Sequence, residues 1–148
     1  MRRFAVLAVV VFVAPVLVAA VSRERSLSRP APRTVWDSVY SAAQAARGES
    51  AYVTACARCH AASLSGGDEA PPLAGTGFLG NWNGQTVADL HDRIRSTMPS
   101  DDPGTFARPL VADVVAYMLK VNGFPAGAAD LPTTTDSLKE IVVRASRP

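Results

Sequence analysis

Two cysteines, Cys56 and Cys59, stand two residues apart in the stretch YVTACARCHAAS, Tyr52 to Ser63; His60 follows directly, and the chain has no other cysteine. Such a motif presents two sulfurs and an imidazole from about one helical turn. The fold around it has to serve whatever those three groups hold in common.

The length of 148 residues suits one domain, because a sizeable core is possible at this size and two independent cores are not. The start reads MRRFAVLAVVVFVAPVLVAAV, a basic beginning followed by an apolar run over residues 4–21. Residues 1–22 are read as an export signal, or as an N-terminal membrane anchor if the run is retained. Pro15 and the weak small-residue site around Ala19, Ala20 and Ser22 leave cleavage open. Arg2-Arg3 reads as an ordinary positive start and not as a twin-arginine signal. Residues 23–38, rich in Ser, Pro and Arg, have the composition of a flexible linker, and the folded domain is expected over 39–148, beginning near Val35 to Ser41.

Charge follows the same division. Arg2, Arg3, Arg23, Arg25, Arg29 and Arg33 against Glu24 give +5, which leaves −3 for the remainder of a chain whose net charge is +2. The basic balance belongs to the leader and linker, so it is no argument for nucleic-acid binding.

The rest reads as short helices joined by loops. Ser41 and Gln44 have capping-box spacing, which predicts a helix from about Ala42 to Ala55 with the glutamine returning to the serine amide. The run AASLSGGDEAPPLAGTGFLGNWNG, Ala61 to Gly84, is too rich in glycine and proline for a long regular element. Thr86 and Asp89 cap another helix, with Val87, Leu90, His91 and Ile94 on one face; Pro99 ends it at Met98. A third helix runs from about Leu110 to Val121, buries Val111, Val114, Val115 and Met118, and stops at Asn122-Gly123. No useful β-alternation is present, so the domain is expected to be all-α.

Cys-x-x-Cys by itself permits a redox disulfide, half a zinc site, a structural disulfide or thioether attachment of haem. The zinc reading has only Cys56, Cys59, His60 and His91 to draw on, and a histidine adjacent to Cys59 is badly placed to close the same tetrahedron. A thioredoxin-like site would want a βαβ context, and a plain disulfide, natural in an exported chain, leaves His60 unexplained. Haem attachment uses all three residues: the thiols add to the vinyl groups and His60 becomes the proximal iron ligand. Export also lets haem reach free thiols on an unfolded chain.

The second axial position calls for sulfur or imidazole from a distant loop. Met1 lies in the leader and Met118 in a helix stripe that reads as core, whereas Met98 stands at a helix end in RSTMPSDDPG, so Met98 is the candidate. His91 competes for the position, though its apolar neighbours favour a packing role. Paired acids such as Asp101-Asp102 and Asp68-Glu69 read as solvated loop charge, and there is no nucleophile triad or phosphate loop.

From about Val39 to Ala126 the chain resembles the small monohaem class I cytochromes c. Gly48 and Tyr52 before Cys56, and Val114 and Tyr117 in DVVAYM, match the positions at which that family crosses its N- and C-terminal helices. APPLAG, Ala70 to Gly75, resembles the family's proline loop, and the resemblance implies that the Pro71 carbonyl accepts the Nδ1 proton of His60 and that Leu73 presses on the haem. Within the family the likeness is to cytochromes found with quinoprotein dehydrogenases, carried by FLGNWNGQTVADLHDRIRSTMPSDDPGTF and DVVAYMLKVNGFPAG; Trp82 is a candidate for a haem-edge or propionate contact. After Gly127 the likeness weakens, and LPTTTDSLKEIVV is read either as a wrapping tail with Leu138, Ile141 and Val142 inward or as a partly ordered end.

The resemblance implies a fold of short helices and loops around one covalent haem c. With iron held by His60 and Met98 there is no open coordination position, so the expected function is one-electron transfer and not catalysis. The implied partners are periplasmic redox proteins, a quinoprotein dehydrogenase on one side and a terminal oxidase or another cytochrome on the other, met through a small interface. Two other readings remain: a haem sensor or enzyme whose distal site binds a diatomic gas or peroxide, and a haem-free thiol or structural module.

Overall fold

A computed structural model describes residues 32–68 and 70–147, with six helices and one pair of short strands among them. The long helices α1 (Ala42–Ala55) and α5 (Arg108–Val121) form its frame. Their crossing is set by Gly48, where a β-carbon would lie 1.8 Å from the backbone oxygen of Asp113. Only a residue without a side chain permits that approach. One turn further on, the buried rings of Tyr52 and Tyr117 pack with centroids 5.4 Å apart at 51°. Val111, Val114, Val115 and Met118 are all buried, and Met118 is core packing as its stripe position implies.

Local signals set the helix ends. The Ser41 hydroxyl accepts the Gln44 amide at 3.0 Å, which starts α1. The other half of the expected box does not form. Gln44 is buried and turns its amide to the main chain of Leu131, donating to the carbonyl at 3.2 Å and accepting from the N–H. Helix α4 (Val87–Thr97) has both halves: Thr86 accepts from the Asp89 amide at 3.2 Å, and Asp89 Oδ2 accepts from the Thr86 amide at 2.9 Å. The Thr86 hydroxyl, which donates to Asp89 Oδ2 at 2.6 Å, and after it the Thr86 amide hold the Asp89 carboxyl below its ordinary pKa. Helix α4 ends as Met98 turns extended (φ −121°, ψ 148°), the conformation favoured before proline.

Within Ala61 to Gly84, read from composition as loop, Gly75–Trp82 forms the eight-residue helix α3. Phe78 and Trp82, four residues apart, face inward, Phe78 fully buried and Trp82 half-buried against the core. Burial of this face outweighs the low helix propensity of the three glycines. Gly77 is itself part of the packing, since a β-carbon there would meet Pro72 Cγ at 2.5 Å.

The tail is wrapped onto the domain. Helix α6 (Thr135–Lys139) buries Leu138, and strand β2 (Ile141–Val142) pairs in parallel with β1 (Arg33–Thr34). This pair is the one β-ladder among the described residues and leaves the domain all-α in class. Expectation and structure differ at two points. Extended geometry points alternate residues the same way, so Ile141 and Val143 are buried while Val142 is half-buried. The ordered fold also begins before the expected 39: residues 33–38, given to the linker by composition, lie within it. Val35 is fully buried and its N–H donates to the Val142 carbonyl at 3.1 Å, and Trp36 Nε1 donates to the Arg144 carbonyl at 3.0 Å. The pairing partner lies more than a hundred residues away, where local composition carries no sign of it. The leader, residues 1–22, lies outside the described residues; among those described, no helix is long and apolar enough to cross a membrane.

Candidate functional site

Helix α1 runs directly into the cysteine motif. Cys56 caps it, its N–H bonded to the Tyr52 carbonyl at 2.8 Å, and the single turn α2 (Ala57–His60) follows. The amides of Cys59 and His60 both donate to the Cys56 carbonyl, at 3.1 and 3.0 Å. Both thiols and the imidazole therefore project from one turn. Cys56 is half-buried and Cys59 exposed, neither in a disulfide. Burial, with the neighbouring Cys59 adding to it, pushes the Cys56 thiol up in pKa and so favours its neutral form.

His60 is buried, with 7% of its surface exposed. Its Nδ1 lies 2.9 Å from the Pro71 carbonyl oxygen. A carbonyl only accepts, so Nδ1 carries the proton and Nε2 keeps its lone pair. A tight loop brings Pro71 back to the histidine. Ala61 and Leu64 both take φ 61°, Gly66 N–H donates to the His60 carbonyl at 3.0 Å, and Leu73 N–H donates to the Leu64 carbonyl at 2.8 Å. A β-carbon on Gly66 would come within 2.5 Å of the Ala70 oxygen, so the return path requires glycine. Asn122 fastens the far side of this loop to the end of α5, donating to the Leu73 carbonyl at 3.1 Å and accepting from the Gly75 amide at 2.9 Å.

Sequence reasoning missed Leu64, Gly66 and the role of Asn122. Asn122-Gly123 was legible only as a helix stop, and a side chain that also reaches a loop 47 residues earlier leaves no local signal. Leu73 and Trp82 are half-buried against the core.

Met98 is half-buried at the head of loop 98–107. That loop is tied to the cysteine motif by Arg58, between the two cysteines, whose Nη2 is 2.9 Å from Asp101 Oδ2. Between them is a cavity of about 450 Å³ lined by Thr54, Ala55, Arg58, Pro99, Asp101, Asp102 and Phe106. His91 is fully buried, with Nε2 3.1 Å from the Arg108 carbonyl and Nδ1 3.2 Å from Asp92 Oδ1. These contacts suit its packing role.

The donor set can be tested against chemistry. No group of three or more His, Cys, Asp or Glu side chains is arranged to hold a bare metal ion among the described residues. Two thiols one turn apart, beside a buried imidazole whose Nδ1 is occupied and whose Nε2 is left as donor, fit a haem c.

The family comparison agrees. Residues 43–118, just over half of the chain, match the family model described as cytochrome c oxidase, cbb3-type, subunit III. No curated protein matches. Among solved structures, the sulfane dehydrogenase SoxCD from Paracoccus pantotrophus is similar at 21% identity with a TM-score of 0.48, over 72% of this chain and 61% of that one. The chain belongs to the family of that matching model: it is a cytochrome c, a haem-dependent electron-transfer protein with the small all-helical class I fold.

Proposed function

We propose that this cytochrome is a one-electron carrier with a single haem c, tethered through Cys56 and Cys59 and held axially by His60 and Met98. The observation that carries the reading is the 2.9 Å contact between His60 Nδ1 and the Pro71 carbonyl. It fixes the tautomer and the ring plane, and it makes Nε2 a stronger donor than a free imidazole. Bound haem supplies an iron that cycles between ferric and ferrous. The chain's task is to hold both axial positions, so that neither substrate nor gas enters, and to exclude water from the apolar ring. A thioether from Met98 is a weak donor and favours the reduced state more than a second imidazole would.

Support for Met98 comes from its place at the head of a loop joined to the cysteine motif by Arg58 and Asp101. His91 is the poorer candidate, because it is fully buried with Nε2 already 3.1 Å from the Arg108 carbonyl and Nδ1 3.2 Å from Asp92 Oδ1. Leu73 and Trp82, half-buried beside the core, are the further haem contacts of this reading. Residues 1–22 act as an export signal or inner-membrane anchor, and the domain works in the periplasm. There it passes electrons from a dehydrogenase, of the quinoprotein kind on the likeness of residues 78–106, to a respiratory acceptor.

The test is an optical spectrum of the exported protein, oxidised and reduced. A covalently bound haem with the weak long-wavelength band of iron–sulfur ligation is expected, and Met98→Ala should abolish the band and admit added ligands such as azide. Colourless protein would remove the haem reading; a band unchanged by Met98→Ala would remove the axial assignment.

A further inference from the structure

His91 is a polar side chain on the apolar face of α4, fully buried like Val87 and Leu90, with its Nε2 beside the start of α5. A leucine would fill such a position without the cost of desolvating an imidazole. The imidazole adds a bond. Its Nε2 lies 3.1 Å from the carbonyl oxygen of Arg108, the first residue of α5, and donates to it in the tautomer that carries the proton there. Met98, the first residue after α4, stands seven residues beyond His91, so this contact ties the middle of α4 to the start of α5 and brackets residues 92–107 between them.

The loop has little else to hold it. Asp101, Asp102, Pro103, Gly104 and Thr105 are exposed, and only Met98 and Phe106 carry large apolar side chains that are even half-buried. The Arg58–Asp101 pair at its tip is exposed on both sides, with 75% and 62% of the side-chain surfaces accessible, where ion pairs hold weakly. The base is built differently. Asp92 Oδ1 sits between His91 Nδ1, at 3.2 Å, and Arg108 Nη1, at 3.4 Å. Arg108 continues to the wrapped tail, donating to the Thr133 carbonyl and the Thr135 hydroxyl, both at 2.7 Å.

We propose that His91 is a positioning residue for Met98: its contact with the Arg108 carbonyl holds α4 against the start of α5 and so keeps the thioether at the end of α4 where iron can use it. The proposal rests on the reading of Met98 as axial donor. His91 does not touch the iron; it limits how far α4 can part from the start of α5.

The experiment compares haem-loaded wild type with His91→Leu, which lacks the donor, and His91→Gln, whose side-chain NH₂ can take the place of Nε2. His91→Met serves as the donor-less variant if the leucine variant does not accumulate. Amide hydrogen exchange is read by mass spectrometry, and the long-wavelength band is followed through a denaturant titration beside far-ultraviolet circular dichroism. The donor-less variant should exchange about tenfold faster across residues 99–107 with α1 unchanged, and lose the band at lower denaturant than the helical signal; the glutamine variant should stay near wild type. Unchanged exchange in 99–107 would overturn the proposal, as would exchange that rises equally in α1 with band and helicity lost together. A wild-type band that survives Met98→Ala would refute the axial reading, and the exchange data would still decide whether His91 fixes the loop.

Discussion

The hydroxyl of Tyr52 donates to the carbonyl oxygen of Ala61 at 2.7 Å, across the cysteine motif from the last turns of α1 to the residue that follows His60. Ala61 takes φ 61°, unusual for a residue with a side chain, and this bond is one reason the turn can hold it there. Burial, reinforced by the nearby Cys56 and Tyr117, pushes the Tyr52 phenol from 10.0 up to about 12. Because the folded value is raised, the neutral phenol's contribution is complete below pH 10 and is lost as pH rises towards about 12. Tyr52→Phe should therefore cost about 1 kcal/mol at neutral pH, the worth of a buried hydrogen bond. The gap between wild type and variant should close above pH 10. Denaturant midpoints taken at pH 7, 9 and 11.5 test this, and a gap independent of pH would count against it.

Gly48→Ala places a methyl group where the Asp113 carbonyl already stands, 1.8 Å away, with the Asp113 carbonyl carbon at 2.4 Å. Neither atom belongs to a flexible side chain, so α1 and α5 must move apart, which also separates Tyr52 from Tyr117. A loss of about 2 kcal/mol or more is expected, at the upper end of overpacking costs. Thermal unfolding of the haem-loaded protein would measure it, and an unchanged melting temperature would show that the helices do not cross here as described. Ser50→Ala, on an exposed position of the same helix, is the control.

How much of this was legible beforehand follows from how local each cause is. Helix α1 was readable to the residue because its cap, Ser41, lies beside it, and α4 because Thr86 and Asp89 complete their box within three residues. Cys56, Cys59 and His60 are adjacent in sequence, so their gathering on one turn could be read directly. Pro71 entered only by family likeness, since the loop that returns it depends on positive φ at Ala61, Leu64 and Gly66. Non-local causes defeated the reading elsewhere. Helix α3 forms in a glycine-rich stretch because Phe78 and Trp82 find a core to enter. Residues 33–38 join the fold because β2, at the other end of the domain, is there to pair with them. Gln44 fits a capping box by spacing, and only the tail's arrival gives its amide a better pair of partners.

That last exchange is itself testable. Gln44 is 2% exposed and satisfies both the N–H and the carbonyl of Leu131, 87 residues later, at the point where the tail comes over α1. Beside it the Ser41 hydroxyl donates to Asp130, and Arg47 bridges Asp130 and Asp113 at 2.8 and 3.0 Å. The surface ions are solvated and hold little by themselves. Gln44→Leu preserves the bulk of the side chain but leaves two peptide groups of Leu131 without partners in a dry place. A cost of about 1–3 kcal/mol follows from unmet buried hydrogen bonds. Arg47→Ala, by contrast, should leave the unfolding midpoint nearly unchanged. Loosening should be confined to the tail, so limited proteolysis of Gln44→Leu should cut after Gly127 under conditions that spare the wild type, while the haem spectrum stays as it was. If the variant resists protease like the wild type, the tail is held by Leu138, Ile141 and Val143 alone, and the amide of Gln44 is incidental to it.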